Sequence, residues 1–350
     1  MNDTQINSRQ VRLLNYLLTK PLSSRKDLET SFKDRKVSRI TIIRDLNFLL
    51  ALGWIEQSGG GKYIKYSLKP GKELFVPVDL DDYFSVPLDQ RSVRYLSFNV
   101  DIINTFNDIF TKQERAIFEQ GKTKLKEKFA SSDKTILKRE LERFTIELSW
   151  KSSQIEGNTY SLLETEELIK NRKEAKGHDK EEAIMILNHK SAFDTILENK
   201  ESFKIINISD IRTIHSALTR DLGIKANIRQ SAVGITGTRY SPPDNKYQIE
   251  DALSKLVEGL NKITNIPEKA LVLLGMISYL QPFTDGNKRT ARMVSNAILL
   301  ANDYFPLSYR SIDEVEYKKA LILFYEQNNI YHLKRLFLGQ QQFAIKNYFL

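Results

Sequence analysis

Apolar positions recur along most of this chain at the three- and four-residue spacing of helices. The densest apolar run, Ala270 to Leu280, predicts a buried helix. Pro282 disfavours the α conformation at Gln281, so that helix is expected to stop there. After Asp285-Gly286 a second helical pattern begins, with Ala291, Val294, Ile298 and Leu299 on its apolar side. Phe144 to Trp150 and Ile211 to Leu218 read as helix as well. So does 96–143, whose polar face carries Lys122, Lys124, Lys126 and Lys128. The expected fold class is mainly α.

The first seventy residues show a different rhythm. Val11, Leu14, Leu17 and Leu18 mark one helix. Ser23-Ser24 caps a second, with Leu28 and Phe32 apolar, and Ser38 caps a third. Ile42, Ile43, Leu46, Leu49 and Leu50 form the third helix's buried stripe, and Gly53 ends it. Trp54-Ile55 and Tyr63 to Tyr66 then flank Gly59-Gly60-Gly61, as two strands around a glycine turn. The Gly59 to Lys62 run is no phosphate loop, because Tyr63 stands where a Mg²⁺-holding Ser or Thr is needed. Residues 1–70 are therefore read as a separate module, 71–95 with Pro77 and Pro87 as a linker, and 96–350 as a second domain. A length of 350 residues accommodates both domains.

Charge separates the two parts. The first seventy residues hold 7 Lys and 6 Arg against 6 carboxylates, a net +7 of the chain's +9. Basic charge on such a module is the footprint of a nucleic-acid binder. Arg35, Lys36, Arg39, Thr41 and Arg44 are the candidates at the third helix, and Lys62 at the glycine turn. A module that binds protein or dimerises remains the alternative. The chain has no cysteine, which excludes disulfides and thiol chemistry. It shows no signal-like or membrane-spanning apolar run, so a cytoplasmic protein is expected. The four histidines show no metal-ligand spacing. His215 reads as packed or capping.

The chemistry concentrates at 281–292. The turn delivers Gly286-Asn287-Lys288 to a helix N-terminus, where unpaired N–H groups attract anions. Arg289 and Arg292 share a helix face. Two guanidiniums beside an amide nest suit polyphosphate oxygens. Asp285 is placed to hold Mg²⁺ against them.

The stretch Gln281-Pro-Phe-Thr-Asp-Gly-Asn-Lys-Arg-Thr-Ala-Arg292 resembles the signature loop of the Fic (Fido) family, His-Pro-Phe-x-[Asp/Glu]-Gly-Asn-[Gly/Lys]-Arg-x-x-Arg. Every diagnostic position matches except the first. The resemblance implies a mostly helical core that moves AMP from ATP, with Mg²⁺, to a hydroxyl of a target protein. Asp285 would hold the metal, and Gly286, Asn287, Lys288, Arg289 and Arg292 the nucleotide. Gln281 stands where the family carries its catalytic histidine. An amide is not basic near neutral pH, and loss of a general base typically costs about 10²–10⁴-fold. Three readings of Gln281 follow: a nucleotide-binding pseudoenzyme, an inactivating substitution, or slow chemistry with another base.

Two further segments fit the resemblance. Ser152-Ser-Gln-Ile-Glu156-Gly157 is similar to the family's inhibitory motif, whose glutamate occupies the second signature arginine, here Arg292. An ordinary helix C-cap is the plain alternative. Val233-Gly234-Ile235-Thr236-Gly237, running on to Tyr240, looks like the family's flap, a β-hairpin that docks the target segment by edge pairing. The string Ser38 to Leu46 resembles the recognition helix of DeoR-type winged helix-turn-helix repressors. That resemblance implies DNA as a second partner and allows an alternative in which a transcriptional regulator senses nucleotide. Removal of AMP from a modified protein is a third reading. The target, the operator and any homo-oligomer are left open.

Overall fold

The computed structural model describes residues 6–32 and 37–348. The N-terminal part comprises α1 (Ser8–Thr19), β1 (Ser23–Ser24), α2 (Arg25–Thr30), α3 (Arg39–Ala51), β2 (Ile55–Ser58) and β3 (Lys65–Leu68). Ser24 and Ser38 cap α2 and α3 by accepting from the N–H of Asp27 and Thr41. Gly53, at φ 66°, turns the chain after α3. The strands form one antiparallel sheet in the order β1-β3-β2, with Ile55 opposite Leu68 and Ser23 opposite Tyr66. The short β1 was not anticipated, because two residues carry no alternation.

Leu13, Leu14, Leu17, Leu28, Ile42, Leu46 and Leu49 fill this module's own core. Each such burial contributes roughly 1.5–3 kcal/mol before entropy is counted. Asp45 is buried and held by Arg9 Nε at 2.8 Å and Gln10 Nε2 at 2.9 Å, which locks α3 to α1. Val76 is fully buried in the same core, so a boundary at residue 70 would cut it away.

Residues 71–95 do not dangle as a linker. They contain two 3₁₀ turns, Lys72–Phe75 and Leu88–Gln90, and the helix α4 (Leu80–Ser85). Four carbonyls of this strap are claimed from the far end of the chain. Ile330 N–H donates to Leu74 O, the Asn329 side chain to Glu73 O and Val76 O, and His332 Nε2 to Val78 O. Buried carbonyls need such donors. Pro77 and the acidic residues misled the sequence reading, because composition does not reveal partners 250 residues away.

The second part contains α5 (Lys112–Ser131), α6 (Lys134–Ile155), α7 (Leu162–Asn171), α8 (Lys180–Glu198), α9 (Ile208–Thr219), α10 (Lys246–Lys262), α11 (Ile266–Leu280), α12 (Asn287–Ala301), α13 (Glu314–Gln327) and α14 (Tyr331–Asn347). Helix begins at Lys112, with only a 3₁₀ turn (Val100–Thr105) before it, so the expected helical span from 96 is shorter. Every residue of α11 from Pro267 onward is buried, and so is all of α12 except Lys288. α11, apolar on nearly every side, belongs inside the fold, whereas α12 buries Arg289, Arg292, Ser295 and Asn296 as well. These two helices make the central hairpin, and α6, α8, α9, α10 and α13 pack around it. No helix among the described residues is long and apolar enough to cross a membrane.

Candidate functional site

The turn between α11 and α12 carries residues 281–286. Gln281 caps α11 in the left-handed region, φ 50° and ψ 59°. A non-glycine residue there stores strain, which is common at functional turns. Both ends of its amide are engaged: Nε2 donates to Ser278 O at 2.6 Å, and Oε1 accepts from Asn287 Nδ2 at 2.9 Å. Asn287 staples the turn, since Phe283 N–H donates to its Oδ1 and its Nδ2 donates to Phe283 O. Gly286, at φ 79°, is the N-cap of α12 and gives it no side-chain cap. A Cβ on Gly286 would lie 3.0 Å from Thr219 Cγ2 and 3.4 Å from His215 Nε2. Glycine is required on both counts.

The arginines converge beneath this turn. Arg289 Nη2 lies 3.2 Å from Asp285 Oδ2, while its Nη1 is buried without an acceptor. Arg292 donates through Nε to Ser152 Oγ at 3.0 Å and through Nη2 to Ser152 O at 2.9 Å. Its Nη2 also lies 2.9 Å from Glu156 Oε1. That contact is an ion pair, and Glu156 Oε1 has no aligned hydrogen-bond donor. Burial opposes the Glu156 charge, but Arg292, Lys288 and Arg289 outweigh it and hold the carboxyl below its usual range. Lys288 Nζ is 3.7 Å from Glu156 Oε2. The Arg292 guanidinium also lies about 6 Å from the ring centres of Tyr309 and Tyr317. Gly157, at φ 104°, ends α6 directly after Glu156. Glu156 is thus both the C-cap of α6 and the partner of Arg292, so the two sequence readings describe one residue.

Two histidines support the site, and the sequence did not assign them to it. His215 stacks on Phe283 at 3.7 Å and donates through Nε2 to Asp285 O at 2.9 Å. The expected packed or capping role is what it fills, but its client is the turn itself. His189 donates through Nδ1 to Met185 O, leaving Nε2 to accept from Ser152 Oγ at 2.9 Å. Burial lowers His189 to about 3 and His215 to about 4, so both are neutral near pH 7. Neither spacing nor neighbours in the sequence signal these contacts.

The expected β-hairpin at 233–240 is corrected: the segment has no ladder of its own. It runs as a loop that turns at Thr236-Gly237, with Gly237 at φ 85°. Its one bridge is parallel, Ser97 to Ser241. Its tip and its two flanks are tied to other parts of the chain instead. Ser241 N–H donates to Leu96 O, and Arg91 donates to Gly237 O at 3.1 Å. Arg229, itself buried, donates to Ser231 O, Pro243 O and Gln281 O. Val233 and Ile235 are half-buried, whereas Gly234, Thr236 and Gly237 are exposed.

The basic candidates of the first module are partly described. Arg39 and Arg44 are exposed on α3, and Thr41 Oγ1 lies 2.9 Å from the Ser38 hydroxyl. Arg35 and Lys36 lie outside the described residues, as does the side chain of Lys62. Among the described residues, no group of three His, Asp or Glu side chains converges on a metal position. Asp285 is a lone carboxylate, mostly exposed, whose Oδ1 accepts from Gly286 N–H at 2.6 Å.

Comparison with known proteins bears on residues 205–299, which match the family model described as the Fic/DOC family. A protein adenylyltransferase Fic of Nematostella vectensis is 27% identical over 192 residues, covering 53% of this chain and 44% of that protein. A probable protein adenylyltransferase of Aquifex aeolicus is 27% identical over 116 residues, covering 33% of this chain and 35% of its own. The chain therefore spans less than half of these curated relatives. Fic-1 of C. elegans (residues 134–508) superposes with a TM-score of 0.57 at 20% identity, over 67% of this chain and 71% of that one. A Fic domain containing signaling protein from Bacteroides thetaiotaomicron superposes at 0.56 with 19% identity, over 66% and 94%. The helical architecture is that of these proteins, and the match to the Fic/DOC family model covers the segment that carries the turn at 281–286.

Proposed function

We propose that this chain is an autoinhibited, adenylyltransferase-type ATP binder whose transfer step lacks its general base. One observation carries the reading: two buried guanidiniums, Arg289 and Arg292, each keep an Nη1 without an acceptor beneath a helix N-terminus that has no side-chain cap. Buried unsatisfied donors are rare and costly. A triphosphate supplies the missing acceptors and the negative charge the helix end favours. Asp285 is the carboxylate that would bear Mg²⁺ carried in with ATP, its remaining ligands being phosphate oxygens and water.

In AMP transfer a target hydroxyl oxygen bonds to the α-phosphorus, the bond to pyrophosphate breaks, and the hydroxyl proton needs an acceptor. Gln281 is not one. Its only weakly basic atom, Oε1, is already bonded to Asn287. Glu156 competes with the nucleotide for Arg292, and its carboxylate repels the triphosphate. ATP binding therefore outlasts transfer. Residues 231–243 are read as the segment against which a target protein docks. The test is calorimetry with ATP–Mg²⁺, together with labelled-ATP transfer by the chain, by Gln281→His, and by Gln281→His with Glu156→Gly. Absence of ATP binding even with Glu156→Gly sinks the reading.

A second reading concerns the N-terminal module. Its three helices, glycine-turned strands and exposed Arg39 and Arg44 support a winged-helix DNA binder. The Fic core would then act as a nucleotide sensor for a regulator.

A further inference from the structure

Glu326, in the last turn of α13, has its carboxylate fully buried, which is tolerated only when every oxygen is engaged. Oε1 accepts from Thr238 Oγ1 at 2.8 Å and from Arg91 Nη1 at 3.2 Å. Oε2 accepts from Tyr83 Oη at 2.7 Å. Its backbone carbonyl accepts from the N–H groups of both Arg94 and Tyr95 at 3.0 Å. Arg91 is almost as buried, packs 4.6 Å over Phe84, and donates the same Nη1 to Gly237 O. One ion pair thus joins three pieces of chain: the strap, the end of α13, and the turn at Thr236-Gly237.

We propose that the 71–95 strap sets the position of the 231–243 segment, with Arg91 and Glu326 as positioning residues. The inference deepens the reading of that segment as the place where a target protein docks, and it rests on that reading. The segment has no ladder of its own to hold its shape, so anchors must. Arg229 fastens its two ends to the carbonyl of Gln281, beside the nucleotide loop. Arg91, Glu326 and Thr238 fasten its tip to the strap. The strap in turn continues directly from the N-terminal module, whose core holds Val76. A displacement of that module, by whatever it binds, is therefore transmitted to the docking tip through a buried, charge-assisted contact rather than through flexible chain. Loop shape held by a few anchors has two arrangements, anchored and released, which is what coupling between sites requires.

The test is amide hydrogen exchange on the full chain, comparing wild type with Arg91→Ala, Thr238→Val and Thr238→Ser. Valine keeps threonine's shape but removes the hydroxyl, whereas serine keeps the hydroxyl. Exchange across 231–243, apart from Tyr240, whose N–H donates to Thr238 Oγ1 itself, is expected to rise about tenfold in Thr238→Val and Arg91→Ala. Thr238→Ser should stay near wild type, and α11 and α12 should be unchanged in all three. Arg91→Ala can unfold more widely because it strands a buried carboxylate; Thr238→Val keeps the test decisive in that case. Unchanged exchange at 231–243 in Thr238→Val overturns the proposal, as does a rise that serine fails to prevent. No nucleotide enters this measurement, so a chain that binds no ATP still decides it. If transfer is restored in the Gln281→His, Glu156→Gly background, adding Thr238→Val should lower AMP transfer to protein while leaving ATP affinity unchanged.

Discussion

Glu156 sits 2.9 Å from Arg292, yet the pair is incomplete, because Arg292 keeps a buried Nη1 that Glu156 does not reach. An ion pair that leaves a donor unsatisfied holds its arginine less firmly than a bidentate one. Release of Arg292 to a phosphate then exchanges a poorer partner for a better one.

Glu156→Gly should destabilise the ligand-free chain. It strands Arg292 without its carboxylate, at a cost of about 1–3 kcal/mol, below the usual range for a buried pair because Glu156 keeps some solvent access. ATP–Mg²⁺ should then raise the melting temperature of this variant more than that of wild type. Differential scanning calorimetry with and without nucleotide checks both statements. An equal ligand-induced shift in the two proteins would argue against competition at Arg292.

Arg289→Ala should weaken ATP binding by about 1.5–3 kcal/mol, the loss of a charge-assisted contact. Gln281→Ala should change it far less, since that side chain turns back onto Ser278 and Asn287. Isothermal titration of the two variants gives the comparison. With Gln281→His, AMP transfer should appear weakly, and with Glu156→Gly added it should exceed both single variants together. Two residues acting on one bound ATP are expected to be non-additive. Mass spectrometry for AMP on protein reads the result.

Acid should destabilise the fold well before carboxylates titrate. Burial depresses His189 to about 3 and His215 to about 4, and it lowers His332 too. For a depressed histidine, the stabilising contribution is full above the unfolded value near 6.5 and is lost as pH falls toward the folded one. By pH 5, His189 and His215 should each cost about 2 kcal/mol. The Glu156 pair survives this window, because its depressed carboxyl loses its contribution only below about pH 4.3. Urea unfolding between pH 7 and 5 measures the slope, and His189→Gln should flatten it.

Duplex DNA should bind the full chain at low salt, with affinity falling steeply as salt rises, because Lys and Arg release counterions. Arg44→Glu, an exposed change on α3, should weaken binding without altering the melting temperature. Fluorescence anisotropy over a salt series tests this. No binding at low ionic strength would favour a protein-interaction module.

Local rules made much of the fold legible. Ser24 and Ser38 cap the helices they precede, α11 stops before Pro282, and Gly286 occupies a left-handed turn. The approach of Glu156 to Arg292 was legible only through the family resemblance, since the 135 intervening residues carry no local signal of it. What stayed hidden depended on partners distant in sequence. The hairpin expected at 233–240 rested on the family resemblance, but the segment is held by long-range contacts instead: Arg91 binds Gly237 O, and Leu96 and Arg229 hold its flanks at Ser241 and Ser231. Pro77 and acidic residues suggested a free linker, whereas Asn329, Ile330 and His332 bind its carbonyls.

Arg229 holds Ser231 and Pro243 with one guanidinium while touching Gln281. The loop between those two carbonyls is thereby a cassette with a fixed socket. Its length and side chains can change without moving the turn at 281–286, provided both carbonyls return to the same fork. Recognition and chemistry are thus free to diversify at different rates. A loop grafted between Ser231 and Pro243 from another such protein should bring its own client preference and leave nucleotide affinity where it was.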